Sequence, residues 1–223
     1  MTNKHNHILY RKLIYRQFHV VYEFENEKAF FFKIKENKQL KLIKAMKNND
    51  VFSKQVLENL QKIKNDHLTN IEEIYYKNNM NYIKMEFYEN SFSLKEFLGK
   101  YNKELTYQQF YSILSQIATT VDLLHTHNIA HFDLTYPNIL LDDNYNVKIT
   151  DFDLTKIIMT QNKVNKFVDI HSFIEIVYRL ISRISYIDNI VSYEIHYSDK
   201  KLDYSSCINF LNSVELSKYE KRL

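Results

Sequence analysis

Apolar positions follow two rhythms along this chain. Residues 8–36, ILYRKLIYRQFHVVYEFENEKAFFFKIKE, are dense in β-branched and aromatic side chains around a polar ENEK break, and predict three antiparallel strands. Between 38 and 65 the apolar positions 40, 43 and 46, then 56, 57, 60 and 63, recur every three or four residues and predict one or two amphipathic helices. Strand character returns in NIEEIYYKNNMNYIKMEFYE around a turn at KNNMN, so residues 1–86 are expected to form a five-stranded sheet with one main helix. After Glu89 the rhythm is helical. Phe110, Ile113, Leu114, Ile117, Val121 and Leu124 make one long stripe, NILLDDNYNVKIT reads as a hairpin, and KFVDIHSFIEIVYRLISRI reads as a buried helix followed by one or two more. The fold class expected is α+β, in two lobes: 1–86 with the small sheet and 87–223 mostly helical.

Composition changes this picture little. A chain of 223 residues, 45% hydrophobic, can bury a real core as one large domain or two lobes sharing a cleft. The abundance of Lys, Asn, Ile and Tyr beside one Gly and no Trp reads as an AT-rich gene, so Asn-rich or Lys-rich stretches are not taken as function. The lone Cys207 excludes an internal disulfide and points to a reducing compartment, with the cytoplasm as the expected location, whether the protein's own cell or a host's. No apolar run approaches the roughly 18 residues of a membrane span, and MTNKHNHILYRKL lacks the apolar stretch of a secretory signal. The first 86 residues carry 16 Lys and Arg against 10 Asp and Glu. That excess is either a solvated basic surface or an attraction for a polyanion such as a nucleotide; no zinc spacing and no RNA-binding aromatic signature accompanies it.

The chemistry concentrates in IAHFDLTYPNILLDDNYNVKITDFDLTKI, residues 129–157. HFDLTYPN resembles the catalytic loop of the protein kinase superfamily, and DFD resembles that family's magnesium motif. Asp133 and Asp151 stand eighteen residues apart with a hairpin between them, LLHTHNIAH resembles the end of the helix entering the loop, and FVDIHSFIEIVY resembles the buried helix whose Asp169 braces it. The resemblance implies Asp133 as the residue that orients or accepts the hydroxyl proton, Asn138 and Asp151 as Mg²⁺ ligands, and His131 and Phe152 as packing elements. Hard oxygen donors suit Mg²⁺. Asp142, Asp143 and Asp153 are then polar residues of hairpin and loop. YIKMEFYEN resembles the strand and hinge that hold adenine, with Met85 at the gatekeeper place and Glu86 and Phe87 following. For the phosphate-anchoring lysine of the third strand, AFFFKIK offers Lys33 and Lys35, and the apolar triplet before it favours Lys33.

Several family positions are filled differently. Aligning FHVVYEF with the family's glycine loop puts the three glycine places on Ile14, Arg16 and His19, with Val21 close by. Either Arg16 and His19 contact phosphate through their side chains, or the nucleotide binds weakly. Val56 takes the place of the helix glutamate; Glu58 or Glu36 could substitute. Phe132 replaces the arginine of the catalytic loop, Thr135 replaces a lysine, and no Ala-Pro-Glu motif lies in the seventeen residues between Asp151 and Asp169. HxDLTxxN is similar to the small kinase of the tRNA-modifying KEOPS complex, and DFD to bacterial lipopolysaccharide kinases. The expected function is phosphorylation of a hydroxyl with ATP and Mg²⁺, on Ser or Thr of an unidentified protein substrate. A pseudokinase scaffold and a sugar kinase are the alternatives.

Overall fold

The computed structural model describes residues 2–46, 54–77, 80–100, 105–152, 156–157 and 164–181. The chain divides into two compact units, Met1–Ser91 and Phe92–Leu223.

The first unit begins with a helix, not a strand. Helix α1 (Thr2–Gln17) precedes β1 (His19–Glu25), β2 (Ala29–Glu36) and β3 (Gln39–Met46); helix α2 (Lys54–Lys62) then leads to β4 (Ile71–Lys77) and β5 (Met80–Glu86). All five strands form one antiparallel sheet in the order β1-β2-β3-β5-β4. Two expectations are thereby corrected: residues 8–17 are helical, and residues 39–46 are a strand. The helix is explained by Tyr10, Leu13 and Ile14, whose three- and four-residue spacing lays them on Phe30, Phe32, Ile34, Ile43, Ala45 and Tyr82 of the sheet. The strand is explained by the turn before it. Asn37 and Lys38 stand at φ 49 and 66, the two left-handed centres of a type I′ hairpin, and β2 pairs with β3 without a break from Glu36–Gln39 to Ala29–Met46. Because residues Ile43 to Met46 are buried without alternation, β3 carries no period-two signature.

In the second unit, β6 (Ser91–Ser93) and helix α3 (Leu94–Lys100) precede the long helix α4 (Tyr107–Thr126). Thr106 and Gln109 cap α4 reciprocally. The expected stripe, Phe110 through Leu124, is buried throughout. After α4 come β7 (Ile129–Ala130), a 3-10 turn at Tyr136–Asn138, β8 (Ile139–Asp142), β9 (Val147–Ile149), β10 (Lys156–Ile157) and α5 (Val164–Ile181). Strand β7 pairs with β10, and β6-β8-β9 form a small sheet. Helix α5 buries Phe173, Ile176 and Leu180. The turn expected at KNNMN falls partly, and Asp153, Cys207 and the helices expected after α5 fall wholly, outside the described residues.

Candidate active site

The segment from β7 to β9 is built around one buried carboxylate. Asp169, on α5, is fully buried, and its two oxygens take the backbone N–H of His131 and of Phe132, each at 2.8 Å, while Oδ2 also meets His125 Nε2 at 2.8 Å. This arrangement holds Phe132 at φ 67, a left-handed geometry that a bulky residue adopts only when its surroundings impose it. His131 continues the scaffold. Its Nδ1 accepts from Asp133 N at 3.2 Å, and Nε2 lies 3.1 Å from the carbonyl of Thr150, an atom that can only accept, so the ring proton sits on Nε2. Burial depresses the His131 pKa more than Asp169 and the other surrounding groups raise it, which keeps the ring neutral. Phe152 packs on it with ring centres 5.3 Å apart.

Pro137 begins the 3-10 turn that delivers Asn138. Asn138 Nδ2 donates to Asp133 Oδ2 at 2.9 Å and to the Asp133 carbonyl at 2.8 Å, and the Asn138 backbone carbonyl accepts from Thr150 N at 2.8 Å. Two oxygens are left uncommitted among the described residues: Asn138 Oδ1, on a residue only 9% exposed, and Asp133 Oδ1. The bonds leave these two oxygens available as acceptors. Asp151 lies one residue past the Thr150 carbonyl that His131 holds, at φ 62. Among the described residues no group of three or more acidic, His or Cys side chains could hold a metal ion. A Mg²⁺ ion here would have Asn138 and Asp151 as hard oxygen donors and would need further ligands, which suits an ion that keeps waters and binds substrate phosphates.

In the first unit, strand register sorts the remaining candidates. Tyr22, Lys33, Leu42 and Met85 pair in one row across β1, β2, β3 and β5; Phe24, Phe31, Lys44 and Ile83 pair in the next, on the same face, opposite the face that α1 covers. Lys33 and Lys35 therefore stand on the second strand, which corrects their expected place on the third. Lys33 Nζ lies 4.2 Å from the centre of the Phe87 ring and 3.9 Å from Glu89. The third strand carries Lys44, only 5% exposed, which sequence reasoning missed because LKLIKAM was read as helix. Its signal is the same as that of Lys33: apolar residues, Leu42 and Ile43, directly before a lysine.

The expected glycine-loop register is also corrected. Ile14 is buried on α1, Arg16 is exposed on the same helix, and His19 begins β1, so none of the three lies in a hairpin. Val21 is 52% exposed on β1. The hairpin between the first two strands is Asn26-Glu27-Lys28, and Asn26 Oδ1 accepts from the backbone N–H of Lys28 at 2.9 Å and of Ala29 at 2.8 Å. Donors that could meet a phosphate are occupied from within. On α2, Val56, the expected glutamate place, is 2% exposed, while Glu58 is exposed and helps burial push the Tyr76 phenol up to about 12. Glu36 is engaged by Lys84 Nζ at 3.1 Å, with Glu73 3.4 Å from the same nitrogen. These two acids raise the Lys84 pKa in spite of burial, the largest single influence, which works against its charge.

A family model described as protein tyrosine and serine/threonine kinase matches residues 10–174. The chain is similar to a probable receptor-like protein kinase of Arabidopsis thaliana, 30% identical over 165 residues that cover 69% of this chain and 20% of that protein. A probable serine/threonine-protein kinase of Clostridium acetobutylicum is 32% identical over 108 residues, 46% of this chain and 16% of the relative. Cyclin-dependent kinase 1 of Encephalitozoon cuniculi is 32% identical over 98 residues, 43% of this chain and 32% of the relative. The matches thus span a third or less of these relatives' own lengths.

Proposed function

We propose that this chain, which belongs to the protein tyrosine and serine/threonine kinase family, transfers the γ-phosphoryl group of ATP to a Ser or Thr hydroxyl of another protein, with Mg²⁺ as cofactor. One observation carries the reading: the Asn138 amide fixes Asp133 through Nδ2 and keeps its own Oδ1 uncommitted. A residue that only capped a loop would have no reason to hold an oxygen in reserve. Asp133 Oδ1 would take the acceptor's proton as its oxygen bonds to the γ-phosphorus and the bond to the β-phosphate breaks, releasing ADP. Asn138 and Asp151 would hold Mg²⁺, which when bound neutralises charge on the phosphate oxygens. Lys44, in place of Lys33, would pair with the phosphates, because it occupies the third strand and is buried on the face shared with Met85. Met85, Glu86 and Phe87 remain the candidates for adenine. Preference for Ser and Thr over Tyr follows the similarity to the Clostridium relative, a probable serine/threonine-protein kinase.

The second reading, a nucleotide-binding module without turnover, is favoured by the Asn26 turn, whose side chain occupies the N–H groups that a phosphate cradle would use. Radiolabel transfer from ATP to a cell lysate separates the two. The wild type is expected to transfer label, Asp133→Asn to lower it by about 10² to 10⁴ with an unchanged melting curve, and Lys44→Met to lower it far more than Lys33→Met. In parallel, saturating Mg²⁺–ATP should raise stability by roughly 2–3 kcal/mol at about 100 times its dissociation constant. Nucleotide stabilisation with no transfer establishes the second reading; neither signal removes both.

A further inference from the structure

Helix α1 points apolar side chains out of both its sides. Tyr10 and Ile14 are buried on the sheet, yet Ile8 is 51%, Leu9 37% and Tyr15 48% exposed. At 100° per residue, Ile8 and Tyr15 lie at the middle of the outward face, with Arg11 on one flank and Lys12 and Arg16 on the other, and Leu9 just beyond Arg16. There is no Asp or Glu anywhere from Thr2 to Gln17. Covering the sheet needs only one apolar side; on the other, the Tyr15 hydroxyl donates to Glu23 at 3.3 Å, while the core cluster does not include Ile8 or Leu9. The cations are not spent either. Arg11 is held by Glu23 at 2.9 Å and lies over the Tyr15 ring, but Lys12 and Arg16 have no acidic partner among the described residues.

We propose that the outward face of α1 docks on an anionic membrane surface, with Ile8, Leu9 and Tyr15 entering the headgroup region and Lys12 and Arg16 meeting lipid phosphates. Two properties of the face select this partner. A nucleic acid would satisfy the cations and leave Ile8 and Leu9 in water, whereas a lipid surface takes aliphatic and cationic groups side by side, the long stems of Lys and Arg reaching past the buried residues to the phosphates. The helix is also already formed and anchored on the sheet, so docking carries none of the ordering cost that a disordered basic segment meets. Among the described residues no helix is long and apolar enough to cross a membrane, so the contact lies on the surface.

Co-sedimentation of the full chain with vesicles tests this without reference to phosphoryl transfer. Binding is expected to vesicles of phosphatidylcholine with phosphatidylserine, to be weak on phosphatidylcholine alone, and to fall as salt rises. A Lys12→Glu, Arg16→Glu double variant should lower it at least tenfold, from roughly fivefold per cation lost near such a surface. Ile8→Ser, at a half-exposed position outside the core cluster, should lower it several-fold with little change in the melting curve. Three results overturn the proposal: no binding at low salt, equal binding to both kinds of vesicle, or binding that Ile8→Ser leaves intact. The last, together with capture by polyglutamate or heparin, would assign the face to a soluble polyanion.

Discussion

The hairpin at Asn26, in the first unit, and the loop at Asp133, in the second, are built on opposite principles. Around Asp133 side chains do the holding: Asp169 takes two backbone N–H groups, His131 bridges to Thr150, and Asn138 grips Asp133. At the hairpin the family relies on the absence of side chains, since glycine lets backbone N–H groups come close to phosphate. The two designs respond differently to a loss of glycine. A scaffold of carboxylate, imidazole and amide survives it, while a bare-backbone cradle is replaced, here by an asparagine that uses the same N–H groups to close its own turn.

The comparison breaks most completely at Asp169. Asp169→Ala removes the buried carboxylate that the N–H groups of His131 and Phe132 and one nitrogen of His125 bond to, and should cost about 3–5 kcal/mol. Denaturant unfolding checks this; a loss under about 1 kcal/mol would mean that the loop holds itself. The hairpin sharpens it in the other direction. Asn26→Gly should lower stability by about 1 kcal/mol yet improve ATP affinity about fivefold, by returning the Lys28 and Ala29 N–H groups to a ligand. Calorimetric titration that finds affinity unchanged would place the phosphates elsewhere.

The smallest effect concerns Asp142, which closes the β8–β9 hairpin. Burial works against its charge, but donation from the Asn146 side chain and from the N–H groups of Asn146 and Asn144 outweighs it and holds the carboxyl below its ordinary 3.8. Because the native pKa is the lower one, this contribution is complete above pH 3.8 and disappears as pH falls through the native value. Asp142→Ala should therefore melt lower than the wild type at pH 7, by at most about 1 kcal/mol for so exposed a group. The gap should close in acid; a gap constant with pH would assign the loss to packing.

What could be read from the sequence follows the same division. The loop from His131 to Asn138, the hairpin, the buried α5 and the place of Asp169 were legible because side chains at fixed spacing mark each of them. The long stripe of α4 was legible because one face of a helix is buried and the other is not. The front of the chain was misread where those conditions fail. Tyr10, Leu13 and Ile14 of α1 sit among Ile and Tyr residues that suggest strand by composition, and β3 is buried on both faces, so Leu40, Ile43 and Met46 imitate a helical spacing. With Asn37 and Lys38 forming a tight turn without glycine, nothing marked the start of the third strand, and Lys44 was not weighed beside Lys33.

The left-handed turns have a further consequence, in how this chain can change. Asn37, Lys38, Asn128, Phe132, Tyr145 and Asp151 all stand at positive φ, and none is glycine. For ordinary side chains that geometry costs roughly 1–2 kcal/mol each. At Lys38, exposed at its turn, a single change to glycine would therefore strengthen the fold without touching a core contact.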